Sequence, residues 1–253
     1  MLHIKQNNGS IITFILLAIL LLTGLLLNPN KVFASDDDPL EPLNRAVFGF
    51  NEVVDDNVLE PVAKVYRYVT PDPVERSVSN FFNNLEEINT IVNSTLQLKL
   101  DKTISSSSRF VINSTVGILG LFDVASSLGI ERHREDFGQT LGHYGVSPGP
   151  YLVLPFFGPS SLRDAPGFYV DVMIEKDISP IHTELHHEER QTIQATNVID
   201  TRANLLKATK ILDTAAKDKY IFLRESYLQR RAKLVTDGKD VQDFEIDVLE
   251  INY

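Results

Sequence analysis

The chain has 253 residues, with 24 Lys and Arg against 34 Asp and Glu and a formal net charge of −10. It holds no cysteine, so this sequence offers no disulfide framework, cysteine nucleophile, thiolate metal site or cysteine-linked lipid. The acidic balance excludes a nucleic-acid-coating protein, which needs a basic face to neutralise phosphates, and a hydrophobic share of 43% is that of a folded chain.

Residues 1–34 read as a targeting segment. Lys5 precedes an uncharged stretch whose centre, Ile11 to Leu27, is almost purely apolar, and Val32-Phe33-Ala34 then resembles a signal-peptidase exit before Ser35. The rival reading is an uncleaved anchor, because the apolar stretch nearly spans a bilayer. Either way the rest of the chain is expected to be exported, as a body over 35–238 and an acidic tail over 239–253.

Within the body, Leu43, Val47, Phe50, Val54 and Val58 recur at steps of three and four, which predicts an amphipathic helix. Pro61 suits the start of a second helix carrying Val62, Val65, Tyr66 and Val69, ended by Pro71 and Pro73. Leu85, Ile88, Val92 and Leu96 predict a third, and Thr103 to Asn113 a weaker one, since Ser105 to Ser108 has poor propensity. Leu185, Ile199, Ala203, Leu206 and Leu212 suit a long helix or helical pair, and Tyr220, Leu223, Tyr227 and Leu228 a last one ending near Gly238. No stretch alternates cleanly enough for a central strand, so the expected class is all-α.

Two runs break this pattern. Phe110 to Phe122 carries no charge, and neither does Phe137 to Leu162, 26 residues with five glycines and four prolines. The second run cannot be one continuous helix. A neutral Gly/Pro-rich stretch of that length is either buried loop or loop in contact with lipid, because its N–H and C=O groups must find partners.

Three motifs invite chemistry. Gly145-Val146-Ser147-Pro148-Gly149 fits the G-x-S-x-G elbow of serine hydrolases, but that elbow draws an oxyanion donor from the residue after the serine, and Pro148 has no N–H. His182, His186 and His187 lie among Glu184, Glu188 and Glu189; the first two are four apart, yet the order is not H-E-x-x-H, and a solvated acidic helix start is the simpler reading. Arg230, Arg231 and Lys233 form a basic cluster that suits either a helix C-terminus or a lipid headgroup or partner. No metal or cofactor is expected.

Four segments together resemble the MlaA (VacJ) family of outer-membrane phospholipid-transport proteins. They are Asp38 to Asn51 (DPLEPLNRAVFGFN); Asn80 to Glu86 (NFFNNLE), continuing to Asn93 and Gln97; Arg109-Phe110 with Asn113, Gly117, Gly120 and Phe122 to Ala125; and Phe137 to Gly145 (FGQTLGHYG), followed by Gly149 to Gly158 (GPYLVLPFFG) and Leu162-Arg163-Asp164. Thr201-Arg202-Ala203 and Tyr220 to Arg230 also fit, so the resemblance runs over about 38–231.

The resemblance implies a ring-shaped helical protein in the inner leaflet of the outer membrane of a Gram-negative cell. Phospholipids misplaced in the outer leaflet would pass through its amphipathic channel to a periplasmic carrier protein, and family members associate with trimeric porins. Candidate channel or membrane contacts are Phe81, Phe82, Ile118, Leu119, Leu141, Tyr144, Val146, Tyr151, Leu152, Leu154, Phe156 and Phe157. Candidate headgroup or partner contacts are Arg163, Arg230 and Arg231. One departure is plain: the family is typically lipidated, and this sequence has no cysteine for it. That keeps a soluble periplasmic lipid-binding protein as the alternative, with hydrolysis through Ser147 a distant third.

Overall fold

The structure is a computed structural model and describes residues 38–179 and 186–238. The expected leader, the acidic tail, His182 and Leu185 lie outside the described residues.

The expected mostly helical class holds. The helices run α1 Glu41–Val54, α2 Glu60–Val69, α3 Asp72–Leu96, α4 Leu100–Thr115, α5 Val124–Ser127, α6 Phe137–His143, α7 Asp164–Ile178, α8 His187–Ala215 and α9 Lys219–Val235. Two short strands, β1 Tyr151–Leu154 and β2 Gly158–Ser161, sit between α6 and α7.

The first two helices differ from expectation at their junction. Pro61 stands in the first turn of the second helix, as expected, but no break precedes it: a single π-helical turn, Asp55–Leu59, joins α1 to α2. The Glu60 N–H reaches back five residues to the Asp55 carbonyl, a wider turn that accommodates the N–H missing at Pro61. Arg202 of α8 holds Asp55 there through two contacts of 2.6 and 2.7 Å.

The neutral run is more regular than the sequence suggests. After α6, β1 and β2 pair antiparallel with Tyr151 opposite Ser161 and Leu154 opposite Gly158. The free edge of β1 is satisfied by α1. Asn44 donates to the Tyr151 carbonyl at 2.9 Å and accepts from the Val153 N–H at 2.9 Å. Asn51, two turns on, donates to the Leu154 carbonyl at 3.0 Å and accepts from the Phe156 N–H at 2.8 Å. Two carboxamides at seven-residue spacing thus stand in for a third strand, which is how a loop-like segment meets its backbone hydrogen-bonding requirement. Sequence periodicity could not reveal this, because each strand spans only four residues.

Tyr151, Val153 and Tyr220 form a small apolar cluster flanked by Val47, Phe48, Tyr227 and Leu228. Elsewhere most of the buried side chains are polar or charged. Gly138 and Gly167 let α6 and α7 approach closely: a Cβ on Gly167 would lie 2.6 Å from the Gly138 nitrogen.

Candidate functional site

The interior of the protein is unusually polar. Arg109 on α4 is 2% exposed. Its Nε donates to Glu87 of α3 at 2.8 Å, its other nitrogens to both Asp123 oxygens at 3.1 Å, to the Ile130 carbonyl at 2.7 Å and to Ser126 at 3.0 Å. A buried guanidinium persists only with this degree of pairing. Burial opposes ionisation of Asp123, yet hydrogen bonds from Ser126 and Asn113 and the Arg109 charge hold its carboxyl below the usual range.

A second network ties α9 to α6 and α7. Arg231 bonds Asp136 at 2.5 and 2.9 Å and Asp164 at 2.9 Å. Asp164 also accepts from Arg163 at 2.8 Å and from Tyr227 at 2.6 Å. Burial works against the Asp164 charge, but Arg163, Arg231 and Tyr227 together bring its pKa down to about 2. Below it, Glu135 and Asp237 are held by Lys99 and Lys102.

Between α3, α6 and α7 lies a cavity of about 330 Å³, lined by Phe82, Glu86, Asn89, Arg134, Asp136, Gln139, Phe168, Asp171 and Glu175, among others. Asp171 accepts from Asn93 at 2.9 Å and from the Phe137 N–H at 3.1 and 3.0 Å. Burial nevertheless raises its pKa to about 7; the Phe137 and Asn93 hydrogen bonds oppose the shift and nearby Asp136 adds to it. A smaller cavity of about 280 Å³ separates α6 and the following loop from α9, with Val146, Pro148, Arg163, Leu228, Arg231 and Val235 in its wall.

The apolar candidates divide sharply. Ile118, Leu119, Phe156 and Phe157 are 58%, 70%, 66% and 66% exposed, and Tyr144 is also exposed. Phe156 meets Phe50 edge-on at 5.3 Å, and Phe157 meets Phe168 at 4.7 Å. Phe81, Leu141, Val146, Leu152 and Leu154 are half-buried. Phe82 and Tyr151, at 9% and 5%, face inward, so neither forms part of an outward belt; Tyr151 belongs to the apolar cluster and Phe82 to the larger cavity. Ile118, Leu119 and Phe156 share a second property: φ values of +53°, +56° and +66°. A left-handed backbone is costly for these residues, β-branched Ile118 above all. Turn bonds such as Leu119 N–H to Ser114 at 2.9 Å and Phe122 N–H to Gly117 at 2.9 Å hold the first two in place.

The arginine candidates separate as well. Arg163 and Arg231 are committed to the Asp136–Asp164 network, which leaves them little freedom to meet a headgroup, whereas Arg230 is exposed. Ser147 lies in an irregular loop rather than at the strand-to-helix corner of a hydrolase, and the Pro148 carbonyl accepts from the Arg163 N–H at 3.1 Å. His186 caps α8, with its backbone N–H donating to Glu189 at 2.9 Å. The carboxylates of Asp55, Asp56 and Glu60 lie within 4.8 Å of one another, but Arg202 already takes both oxygens of Asp55, which makes the group a helix-packing device.

Sequence reasoning reached Phe82 but missed the polar residues of the larger cavity, Asp171, Gln139 and Arg134 among them. One signal was available: Asp171 interrupts the apolar stretch Phe168 to Met173, where a lone acid demands a buried partner or a task.

Comparison with known proteins gives one consistent result. Residues 36–234 match the family described as MlaA lipoprotein. The intermembrane phospholipid transport system lipoprotein MlaA of Escherichia coli K12 is 36% identical, over 80% of this chain and 80% of its own. An uncharacterised protein of Rickettsia typhi is 41% identical, over 77% of this chain and 76% of its own. A solved structure described as "Structural basis for maintenance of bacterial outer membrane lipid asymmetry" superposes with a TM-score of 0.67 at 36% identity, covering 79% of this chain and 99% of that one.

Proposed function

Because this chain belongs to the MlaA lipoprotein family, we propose that it is the outer-membrane component of an intermembrane phospholipid transport system and keeps misplaced phospholipid out of the outer leaflet. The observation that carries this reading is an inverted distribution of polarity. Among the described residues, eight buried hydrophobic side chains stand against twenty-two buried polar or charged ones, while thirty-three large hydrophobics are exposed. A protein dissolved in water sorts its residues the other way. An apolar exterior around a polar interior is what a body lodged in hydrocarbon needs if it is to pass a headgroup through its middle while the acyl chains stay in lipid.

Among the described residues no helix is long and apolar enough to cross a membrane; in the proposed reading the body lodges in one leaflet of the outer membrane, on its periplasmic side. The relatives are named lipoproteins, whereas this sequence has no cysteine; its retention therefore rests on the apolar surface, with Ile118, Leu119, Tyr144, Phe156 and Phe157 as contacts. Exposed Arg230 is the remaining headgroup or partner contact. A trimeric porin and a periplasmic carrier complete the route. No bond is made or broken: the chain moves lipid and is not an enzyme, and Pro148 denies Ser147 the donor a hydrolase requires. A soluble carrier would instead enclose its apolar residues around the ligand, and the thirty-three exposed ones speak against it.

The test is deletion and complementation in a Gram-negative host, with outer-leaflet phospholipid read by its accessibility to phospholipase added outside. Deletion should raise that accessible fraction, and the full chain should restore it. Unchanged asymmetry after deletion would refute the reading.

A further inference from the structure

Resting on that transport reading, we propose that the smaller cavity, between the 142–148 segment and α9, takes the ester end of one phospholipid acyl chain, with the ester carbonyl on Arg163 and the methylenes against the apolar wall. Arg163 is 6% exposed and lines this cavity of about 280 Å³. Its Nε donates to Asp164 at 2.8 Å and its Nη1 to the Val146 carbonyl at 3.3 Å. Its Nη2 has no hydrogen-bond partner among the described residues and, unlike the Nε of Arg231 in the same wall, is not closed off from solvent. Two bonds thus fix the guanidinium and leave one donor arm over. A withdrawn donor calls for an acceptor. Water is a poor one here, because a buried water needs about two to four polar partners. The other charged groups of the wall are taken up with one another: Asp164 accepts from Arg231 at 2.9 Å and from Tyr227 at 2.6 Å.

The rest of the wall says what carries the acceptor. Val146, Pro148, Leu228 and Val235 line it, a surface that suits hydrocarbon. The charges of Arg163 and Arg231 are already met by Asp164 and Asp136. A phosphate or a free carboxylate therefore finds no unpaired cation, and would shed its water for an apolar pocket without return. An uncharged ester carbonyl takes the spare Nη2 arm without that cost. Gly142 keeps the site clear: a Cβ there would lie 2.7 Å from the Arg163 Nη1 and 2.8 Å from each Val235 methyl. The volume falls just below the range of about 300–1,000 Å³ for small-ligand pockets, which admits the ester segment of one chain and not a whole phospholipid. The cavity also adjoins the proposed belt, because exposed Tyr144 stands between the lining residues Gly142 and Gly145. The bonds that hold Arg163 still keep it from reaching out to a headgroup; the chain comes to it.

The experiment presents the purified full chain with mixed vesicles holding equal amounts of diester phosphatidylethanolamine and its diether analogue, which has the same headgroup and chain length but no carbonyl, then quantifies the lipid that stays bound. Competition with free oleate runs in parallel. Wild type should retain the diester about tenfold over the diether, the ratio one hydrogen bond from a charged donor supplies. Arg163→Lys keeps the charge beside Asp164 and removes Nη2, and should bring the ratio close to one. Ala232→Phe fills the cavity from an exposed position on α9 and should do the same; it keeps the test open if Arg163→Lys does not fold. Equal retention of the two lipids by wild type overturns the cavity inference and leaves transport standing, as does a preference that neither variant changes. Displacement of the diester by oleate in wild type but not in Arg163→Lys overturns it in favour of a carboxylate site. If neither lipid is retained, the cavity inference and the transport reading fail together.

Discussion

The turn at Ile118 and Leu119 and the buried cluster around Arg109 lie at opposite ends of the protein's polarity, although α4 leads into the one and carries the arginine of the other. At the turn, two large apolar side chains are presented outward on a left-handed backbone that neither prefers. In the cluster, a guanidinium is withdrawn from water and surrounded by two carboxylates, a hydroxyl and a carbonyl. Each arrangement would be a liability in a soluble domain, and together they are consistent with a body whose exterior solvent is hydrocarbon. In the proposed reading the two regions have different tasks: the interior charges hold the helices together, and the turn meets lipid.

The largest expected effect strikes the interior. Arg109→Met leaves Glu87 buried without its nearest cation and strips Asp123 of its ion pair, and should cost about 3–5 kcal/mol of stability, read as a lowered denaturation midpoint in detergent. A variant as stable as wild type would mean that the cluster is dispensable. The next effect strikes the turn and separates the two tasks. Leu119→Asp places a charge in the belt at about 2.5–3.5 kcal/mol of insertion cost; membrane retention should fall while the detergent-solubilised midpoint stays near wild type. If both properties fall together, the turn is a folding element and the division is wrong.

An effect of similar size sharpens the comparison through pH. The folded pKa of Asp171 is raised to about 7 from 3.8, so the folded chain keeps a proton that the unfolded chain releases. Its contribution is full below about pH 4 and is lost as pH rises through 7, on the order of 4 kcal/mol. Asp164 runs the opposite way. Its folded pKa is about 2, so its contribution is present above pH 4 and is lost as pH falls through 2. Denaturation midpoints across pH should therefore show a decline between pH 4 and 7 that disappears in Asp171→Asn; persistence of the slope in that variant would place the titrating group elsewhere. The smallest effect expected is none: Ser147→Ala should leave lipid asymmetry unchanged, and a loss equal to deletion would revive an enzyme reading.

Much of the helical body was legible because its apolar residues recur at helical spacing, as in Leu85, Ile88 and Val92. What spacing could not convey was which way the stripes face. Leu43, Phe50 and Val58 belong to the first stripe, yet all three are exposed; periodicity detects two unlike faces and is silent on which one meets solvent. The hairpin was illegible for a different reason, since its third edge is supplied by Asn44 and Asn51, more than a hundred residues away in sequence. At the site, the uncharged runs led to Ile118, Leu119, Phe156 and Phe157. Arg163 and Arg231 were selected for their charge, and the carboxylates that occupy them are Asp136, the N-cap of α6, and Asp164 of α7; for Arg231 no local pattern displays that pairing.

The absence of native cysteine makes the central claim directly measurable, because one introduced thiol is then the sole labelling site. Leu119→Cys and Phe157→Cys, with Lys217→Cys as an exposed polar reference, would each carry an environment-sensitive fluorophore in full-length protein reconstituted into bilayers. The account predicts quenching by nitroxide-bearing lipid and protection from aqueous iodide at 119 and 157, with the reverse at 217. Iodide quenching at all three positions would contradict it.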